Sequence, residues 1–491
     1  MKRARFSGTR GACLGGATCA VLLVASLLLL LLLPSCALFR KPAWEQPPPV
    51  AADRPVVQPD TLHRGELDNG ADVIVLEDRR LPRVVVGVAV RRGGGIVPPE
   101  QAGLASFTSE LMRRGAGRRD ALALARATDE LGATLSVGAD RDSMTVRVAG
   151  LARDLEPLLG ILADVVLRPR FEQGEASKAR GEMLASLEQA KDDPATLAGW
   201  NLAKALYPSH TYGVPADGLP ETVARFDAAS ARAFHRKVFV ADDAILFAAG
   251  DVDMDQLFPR LGEHFGAWER RAAPEPGPPP PDPTPSARKI VVVDRPDLAQ
   301  VRIMIGHEGL ARTDPRRIGA SIMNIVIGGG GFSSRLMVKL RSEAGLTYGV
   351  SSGFALRRHP GPFYVSTFTR VPEVRRALDM VLAELERART SEPPTEKELR
   401  DAKALAVGRF ALGLETSSAV LGSLVDLEIY GLPEDSLDTY RGRVRALTTE
   451  DTAKLARELL HPDRAAIVLV GPAEAIVPQV EGLGAVEVVK P

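Results

Sequence analysis

The sequence predicts an α+β protein made of two homologous halves, each of α/β lobes with antiparallel sheets covered by helices. The same order of elements occurs twice along the chain, displaced by roughly 220 residues, which indicates an internal duplication. A proline-rich segment separates the two copies. Hairpin signals and amphipathic helices alternate within the copies, and this mixture is typical of antiparallel sheets with helices packed on one face.

The composition is that of an ordinary globular protein. At 491 residues the chain is too long for one core, and its 45% apolar and 25% charged residues exclude wholesale disorder, collagen and a polytopic membrane protein. Lys+Arg and Asp+Glu both total 62, so no overall field attracts nucleic acid. We therefore expect no nucleic-acid partner.

The N-terminal segment has the pattern of an export signal. Basic residues precede an apolar run at 20–33 that is short for a spanning helix of ~20 residues. The run ends in Leu33, Pro34, Ser35 and Cys36, which resembles a bacterial lipobox; the alternative is an uncleaved anchor that Cys36 merely follows. We expect 1–36 to be a lipoprotein signal peptide, with Cys36 lipidated and the protein anchored at the periplasmic face of the outer membrane.

Cysteine chemistry is excluded from the bulk of the chain. The three cysteines are Cys13, Cys19 and Cys36, and all of them precede residue 37. The remainder has no thiol for a disulfide, a cysteine nucleophile or a thiolate metal site.

Proline-rich segments mark two boundaries. Residues 37–60 contain six prolines and cannot pack a core, so they are predicted to be a tether. Eight prolines lie between Ala273 and Ala287, and 273–288 is predicted to be a linker. The two halves are then 61–272 and 289–491.

Each half begins with strands and continues with an amphipathic helix. Asp68, Asn69 and Gly70 lie between apolar runs and predict a hairpin, which the apolar strand 84–90 follows. Apolar residues at helical spacing predict one helix in the first half and one in the second. They are Leu155, Leu158, Leu159, Leu162 and Val166, and then Val374, Leu378, Val381, Leu382 and Leu385.

The later elements repeat as well. A charged helix is predicted at 172–191 in the first half and at 395–414 in the second. Each half then closes with a β-rich run into glycine, at 244–250 and 465–471. The two halves are therefore expected to share one topology.

Short motifs within this duplicated frame resemble the insulinase/pitrilysin family of zinc metallopeptidases. The most specific runs from Gly328, Gly329, Gly330 and Gly331 to Leu336, and continues from Leu340 to Tyr348. Supporting motifs are Gly103-Leu104-Ala105, Arg141-Asp142 and Asp192-Asp193-Pro194. The resemblance spans about residues 61–480 and implies that the two halves form half of a clamshell.

The zinc motif of this family is absent. Active members carry H-x-x-E-H, in which two histidines bind zinc and the glutamate activates water. At the matching positions this chain has Ser106, Ser109 and Glu110, and Ser186 stands at the position of the third ligand. The resemblance therefore implies a chain without its own metal or cofactor, and places the zinc in a partner.

The second-half motif is intact. The resemblance implies that Arg341 and Tyr348 reach a substrate carbonyl as its oxyanion develops, acting in trans, and that the glycine loop from Gly328 to Gly331 binds substrate. A guanidinium and a phenol are donors that suit that task. The alternative is that Arg341 and Tyr348 are a helix-end ion pair and a half-buried phenol kept by packing.

Other motifs have weaker functional interpretations. The glycine loop lacks the Gly-Lys-Ser/Thr of a phosphate-binding loop, and a permissive backbone is favoured. A new serine site built from Ser106, Ser109 and Glu110 would lack a nearby histidine base. A basic run is predicted to be a solvated charge cluster rather than a grip on an acidic partner. Its members are Arg113, Arg114, Arg118 and Arg119.

We therefore expect a non-catalytic subunit of an exported, two-chain zinc metallopeptidase. Its expected partners are a zinc-bearing homologous subunit, peptide substrates and, through the lipid anchor, a membrane. The competing hypotheses are a peptide-binding or scaffold lipoprotein without a peptidase role, and a peptidase that acts alone.

Overall fold

The structure is a computed structural model that describes Pro42, Gln46 and residues 55–281 and 286–491. The predicted signal peptide with Cys36, and nearly all of the tether before residue 55, lie outside the described residues. Residues 55–491 form one compact unit by their contacts. Both predicted halves therefore belong to the same unit.

The first half builds a six-stranded sheet with the order β1-β2-β8-β3-β7-β6. Neighbouring strands are antiparallel except for the parallel pair β2 and β8. A two-stranded hairpin, β4 and β5, lies apart from this sheet. The strands are β1 Leu62–Glu66, β2 Asp72–Glu77, β3 Arg83–Val90, β4 Gly115–Ala116, β5 Arg119–Asp120, β6 Thr134–Ala139, β7 Met144–Leu151 and β8 Ala244–Gly250.

The second half repeats this sheet, with the order β14-β9-β13-β10-β12-β11 when read from the corresponding edge. The pair β9 and β13 is parallel, as is its counterpart in the first half, and β14 also joins β9 in parallel. The strands are β9 Lys289–Asp294, β10 Gln300–Glu308, β11 Val350–Phe354, β12 Pro362–Arg370, β13 Ala466–Gly471 and β14 Ala485–Val489. The shared topology that the sequence predicts is confirmed for five of the six strands. The edge strands differ, because β1 begins its half and is antiparallel to its neighbour, whereas β14 ends its half and is parallel.

The helices also correspond between the halves. Those of the first half are α1 Leu104–Met112, α2 Ala121–Glu130, α3 Leu155–Leu167, α4 Gln173–Ala190, α5 Pro194–Leu206, α6 Pro220–Val223, α7 Ala228–Val238 and α8 Met254–Phe265. Those of the second half are α9 Arg317–Asn324, α10 Arg335–Met337, α11 Val374–Arg389, α12 Glu396–Leu412, α13 Ser417–Tyr430, α14 Ser436–Ala446, α15 Thr449–Leu459 and α16 Ala473–Val480. Helices α9 and α10 continue as π-helical turns, Ile325–Gly329 and Val338–Glu343.

Local capping explains where the two charged helices begin. Helix α4 begins one residue later than predicted, because Glu172 has an extended backbone and is the N-cap. Helix α12 begins after Thr395, which forms a capping box with Glu398.

The predicted hairpin is also confirmed: Asn69 and Gly70 connect β1 to β2, and the Asn69 side chain donates to the carbonyl of Phe265 at 2.8 Å.

Each half also covers the other half's sheet. Helix α13 of the second half buries Leu421 and Leu424 in one apolar cluster with Ile74 and Phe247 of the first sheet. Reciprocally, α5 of the first half packs on β9, β10 and β13 of the second sheet. The sheets are therefore covered on both faces, whereas the local sequence pattern predicted helices on one face only. The second cover comes from a helix distant in sequence, so no local periodicity reveals it.

No single helix in the described part of the chain combines the length and apolar character needed to cross a membrane. Helices α12 and α13 meet that criterion only as a pair, with a bend of 109° between them. Within this fold, α13 buries its apolar residues against the first sheet.

Candidate functional site

A cavity of about 600 Å³ lies in the first half between α1, the edge strand β6 and the helices α4 and α5. All four positions that match the zinc motif line it: Ser106, Ser109, Glu110 and Ser186. Other lining residues are Arg113, Glu182, Met183, Trp200 and Asp217. We call this the serine cavity. Residues that lie about 80 positions apart in sequence thus meet at one place in the fold.

The start of α1 explains the glycine of the Gly103-Leu104-Ala105 motif. Gly103 has a left-handed backbone with φ of 94°, and a Cβ there would lie 2.7 Å from the carbonyl oxygen of Asp217. The close approach brings the 217 loop against the helix, where Ser106 Oγ donates to Asp217 Oδ1 at 3.0 Å. Ser109 Oγ donates to the carbonyl of Ser106 at 2.8 Å, so its hydroxyl is used within the helix.

Two of the three carboxylates that line the serine cavity, Glu110 and Glu182, are held by an arginine just beyond the end of α1. Arg114 donates from Nε and Nη2 to Glu110 Oε1, at 2.9 and 2.6 Å, and pairs with Glu182 of α4. A further carboxylate, Glu175, lies 3.7 Å from Arg114 Nη1. Burial acts to lower the pKa of Arg114, but its hydrogen bonds to Glu182 and Glu110 outweigh burial and raise it. The same contact lowers the pKa of Glu182.

These residues do not fit a zinc ion. Serine hydroxyls are poor zinc ligands, and the carboxylate oxygens of Glu110 and Glu182 already accept hydrogen bonds from guanidinium groups. Across residues 55–281 and 286–491, no group of three or more His, Cys, Asp or Glu side chains is placed to hold a metal ion. No histidine is among the residues lining this cavity, so a serine nucleophile there has no imidazole base.

The prediction that the basic run is a solvated charge cluster is wrong for three of its members. Arg113 Nε donates to Glu110 Oε2 at 2.7 Å. Arg114 makes the contacts just described, and Arg119 Nη1 pairs with Asp164 Oδ2 at 2.8 Å. The turn between them is the short hairpin of β4 and β5. Arg114 was misread because its partner Glu182 lies on α4, 68 residues further along the chain.

The second-half motif forms a different kind of feature, which we call the arginine–aromatic patch: Phe332, Arg341 and Tyr348. The Arg341 guanidinium carbon lies 4.3 Å from the ring centroid of Tyr348 and 4.7 Å from that of Phe332. Its Nη1 donates to the backbone carbonyl of Tyr348 at 2.9 Å. Both rings are exposed, Tyr348 at 75% and Phe332 at 70%.

This geometry differs from the helix-end ion pair and half-buried phenol of the alternative interpretation, and a role of the pair in substrate binding stays a prediction. Within the described residues Arg341 makes no ion pair, and the Tyr348 hydroxyl makes no hydrogen bond. Tyr348 is an exposed phenol rather than a half-buried one. A cation held between two exposed rings without a counter-charge retains donors for a ligand.

The glycine loop supports this patch by close packing. A Cβ on Gly328 would lie 2.4 Å from Ser352 Oγ, and one on Gly330 would lie 2.5 Å from the Ile325 carbonyl oxygen. Gly331 has a φ of 71° and begins the turn that carries Phe332. The Gly329 carbonyl accepts a hydrogen bond from Arg409 at 3.2 Å. A direct role of the four glycines in substrate binding stays a prediction.

The serine cavity and the arginine–aromatic patch are separate features of one chain. Neither Arg341 nor Tyr348 is among the residues that line the serine cavity. Sequence reasoning missed Glu182 and Trp200 in the cavity and Phe332 in the patch. Phe332 directly follows the glycine loop, so its position in the motif was the available signal.

Comparison with known proteins identifies the family of this chain. A protein-family model described as "Insulinase (Peptidase family M16)" matches residues 73–216 of this sequence. A second family model, described as "Peptidase M16 inactive domain", matches residues 225–405. The chain belongs to the insulinase family, peptidase family M16. Within that family it is an inactive-type homologue, because the zinc motif is missing from its first half.

Relatives in this family include both zinc proteases and a non-peptidase. An "uncharacterized zinc protease" of Mycobacterium leprae is 28% identical over 395 residues, which cover 79% of this chain and 85% of that protein. The "non-peptidase homolog YmxG" of Helicobacter pylori is 25% identical over 384 residues, covering 77% of this chain and 87% of that protein.

Solved structures agree with the fold. The crystal structure of a peptidase M16 inactive domain from Pseudomonas fluorescens has a TM-score of 0.78 at 28% identity. The match covers 84% of this chain and 98% of the Pseudomonas fluorescens chain. A protease from Helicobacter pylori has a TM-score of 0.77 at 18% identity, covering 84% and 99% respectively, and at that identity it shows the fold alone.

Proposed function

We propose that this protein is the non-catalytic subunit of an exported, two-chain peptidase of the insulinase type. It supplies Arg341 and Tyr348 to substrate bound at the zinc of a homologous partner, and the two chains close around an extended peptide. The chain itself contributes binding and transition-state contacts, and the partner contributes the metal.

The observation that carries this proposal is the set of contacts that the Arg341 guanidinium makes. It is fixed on two sides by aromatic rings and on a third by the Tyr348 carbonyl, yet it has no carboxylate partner in the described part of the chain. An arginine left without a counter-charge is ordinarily free to swing through solvent. Here its conformational freedom is removed before any ligand arrives, which is the arrangement expected of a preorganised donor.

The chemistry follows from which donors remain. Nη1 is occupied by the Tyr348 carbonyl, which leaves the outward donors of Arg341 and the Tyr348 hydroxyl. During peptide hydrolysis negative charge develops on the oxygen of the attacked carbonyl. Donors aimed at that oxygen lower the barrier, because they bind the transition state more strongly than the substrate. Phe332 acts as a positioning residue, since it contacts Arg341 and not the reacting atoms.

The division of labour between two chains is supported by an asymmetry within this one. The serine cavity has lost every zinc-binding residue, and Arg114 binds two of its carboxylates, Glu110 and Glu182. The arginine–aromatic patch keeps the residues and the exposure that a substrate contact requires. Export and membrane anchoring through Cys36 belong to the same proposal and are supported by the pattern of the first 36 residues.

Reconstitution tests the proposal. The full chain is mixed with a homologous subunit that carries an intact H-x-x-E-H motif, and cleavage of an unstructured peptide is measured for each protein alone and for the mixture. We expect this chain alone to be inactive and the mixture to cleave far faster than the partner alone. A mixture no faster than the partner alone would favour the scaffold function instead.

A further inference from the structure

The internal duplication gives the second half its own counterpart of the serine cavity. This cavity measures about 580 Å³ and lies between α9, the edge strand β11 and the helices α12, α13 and α14. Helices α9, α12 and α13 correspond in the repeat to α1, α4 and α5, which line the serine cavity. The two cavities thus have corresponding walls but different side chains.

The second cavity is basic. Its charged lining residues are Arg312, Arg317, Arg409 and Asp426, and the one carboxylate is paired with Arg312. We call it the arginine cavity. The Arg317 side chain makes no hydrogen bond or ion pair within the part of the chain that the structure describes. Arg409 makes one hydrogen bond, to the Gly329 carbonyl. The cavity therefore presents guanidinium donors that lack a counter-charge.

Electrostatics around Arg317 agree with this excess of positive charge. Burial lowers the pKa of Arg317, and the neighbouring charges of Arg443 and Arg312 lower it further, against smaller opposing effects of Asp314 and Asp426. Arg312 Nε is buried and has no hydrogen-bond partner. An anion entering the cavity would offset the positive charge around Arg317 and provide an acceptor for Arg312, because a guanidinium binds a carboxylate through parallel, charge-assisted hydrogen bonds.

The other lining residues indicate which chemical groups of the ligand lie beside its anionic group. Phe410 and Tyr440 stack with ring centroids 4.4 Å apart and give the cavity a flat apolar wall. Asn324 and Ser352 are already satisfied, because Ser352 Oγ donates to Asn324 Oδ1 at 2.5 Å and the Asn324 amide donates to the Ser352 carbonyl. Ser352 lies on β11, an edge strand. Its carbonyl is occupied by Asn324, so an extended chain adds through the other free backbone groups of this edge.

We propose that the arginine cavity binds the C-terminal carboxylate of a peptide whose last residue is apolar or aromatic. The peptide lies along β11, its carboxylate meets Arg317 and Arg409, and its last side chain packs on Phe410 and Tyr440. A volume near 580 Å³ lies within the usual range for small-ligand sites of ~300–1,000 Å³. Neither Arg341 nor Tyr348 lines this site, although Gly329 of the glycine loop does, and the binding proposed here requires no peptidase partner.

The test is calorimetric titration of the full chain with acetylated alanyl-alanyl-alanyl-phenylalanine, as the free acid and as the C-terminal amide. We expect the acid to bind at least 10-fold more tightly than the amide, since only the acid offers an anion to the arginines. Equal affinity of the two peptides, or no binding of the acid, overturns the proposal. Inorganic phosphate that binds as tightly as the acid overturns the assignment to a peptide.

Variants locate the site. Arg317→Gln and Arg409→Gln are each expected to weaken binding of the acid by about 10-fold or more. Arg409 is exposed and makes a single hydrogen bond, so its variant remains informative if Arg317→Gln fails to fold. The matched control is Arg400→Gln, an exposed arginine on the same helix, α12, that lies outside the cavity. Weakening by Arg400→Gln equal to that by Arg409→Gln overturns the proposed location.

Discussion

Leu424→Ala tests whether the two halves are one cooperative unit. Leu424 is 2% exposed and belongs to α13 of the second half, but it packs in the apolar cluster on the first half's sheet. Alanine removes three carbon atoms, which costs ~2.4 kcal/mol in lost burial at ~0.8 kcal/mol each. The cavity left behind raises the expected loss to about 3–4 kcal/mol, since a sheet face closes such a gap only partly.

The assay is urea denaturation of the full chain, followed by far-ultraviolet circular dichroism and by tryptophan fluorescence. All three tryptophans, Trp44, Trp200 and Trp268, precede the linker, but Trp200 on α5 also packs against the apolar cluster on the second half's sheet, so fluorescence reports on the first half and on this interface. We expect one transition, with both signals shifted equally to lower urea. The matched control is Leu412→Ala, whose side chain is 73% exposed and whose loss should cost under ~0.5 kcal/mol. A fluorescence midpoint that stays in place while circular dichroism shifts would refute the reciprocal cover.

Two further predictions concern the serine cavity and the N-terminus. Arg114→Met should cost about 1–2 kcal/mol of unfolding free energy, because half-buried Glu110 loses two hydrogen bonds from the guanidinium. The control Arg118→Met, at an exposed position, should cost under ~0.5 kcal/mol, and equal costs in urea denaturation would contradict this assignment. Cys36→Ala should move the protein from the membrane fraction to the soluble fraction and change its processing on a denaturing gel, whereas unchanged retention and processing would exclude lipidation.

Local sequence patterns predicted much of the fold, because the strands and helices of each half depend mainly on residues that are close together in the sequence. The Asn69-Gly70 hairpin and the helical apolar spacing of α3 and α11 were visible in the sequence, and the residues that define this spacing are mostly buried. The corresponding order of elements in the two halves predicted that the sheets would match. The exchange of α5 and α13 between the halves was not predicted, since it depends on packing between segments more than 80 residues apart.

The candidate site divides in the same way. The four substituted zinc positions could be found by motif, and they do line one cavity. The role of Arg114 could not be found, because a run of arginines looks solvated until Glu182 is brought beside it by tertiary structure. Phe332 was passed over for a similar reason: only the fold shows that its ring lies against Arg341. The arginine cavity gathers side chains from four helices, from strand β11 and from loops, and no spacing rule connects them.

The most direct test of the proposed function is the kcat of the two-chain peptidase reconstituted with Tyr348→Phe. This substitution removes only the hydroxyl and keeps the ring that holds Arg341, so assembly and the patch geometry should survive. If the hydroxyl stabilises the developing oxyanion, kcat at saturating peptide should fall by about 10²–10³-fold while the affinity between the two chains is unchanged. A variant complex that retains the full kcat would contradict the account and leave Tyr348 a structural residue of a scaffold.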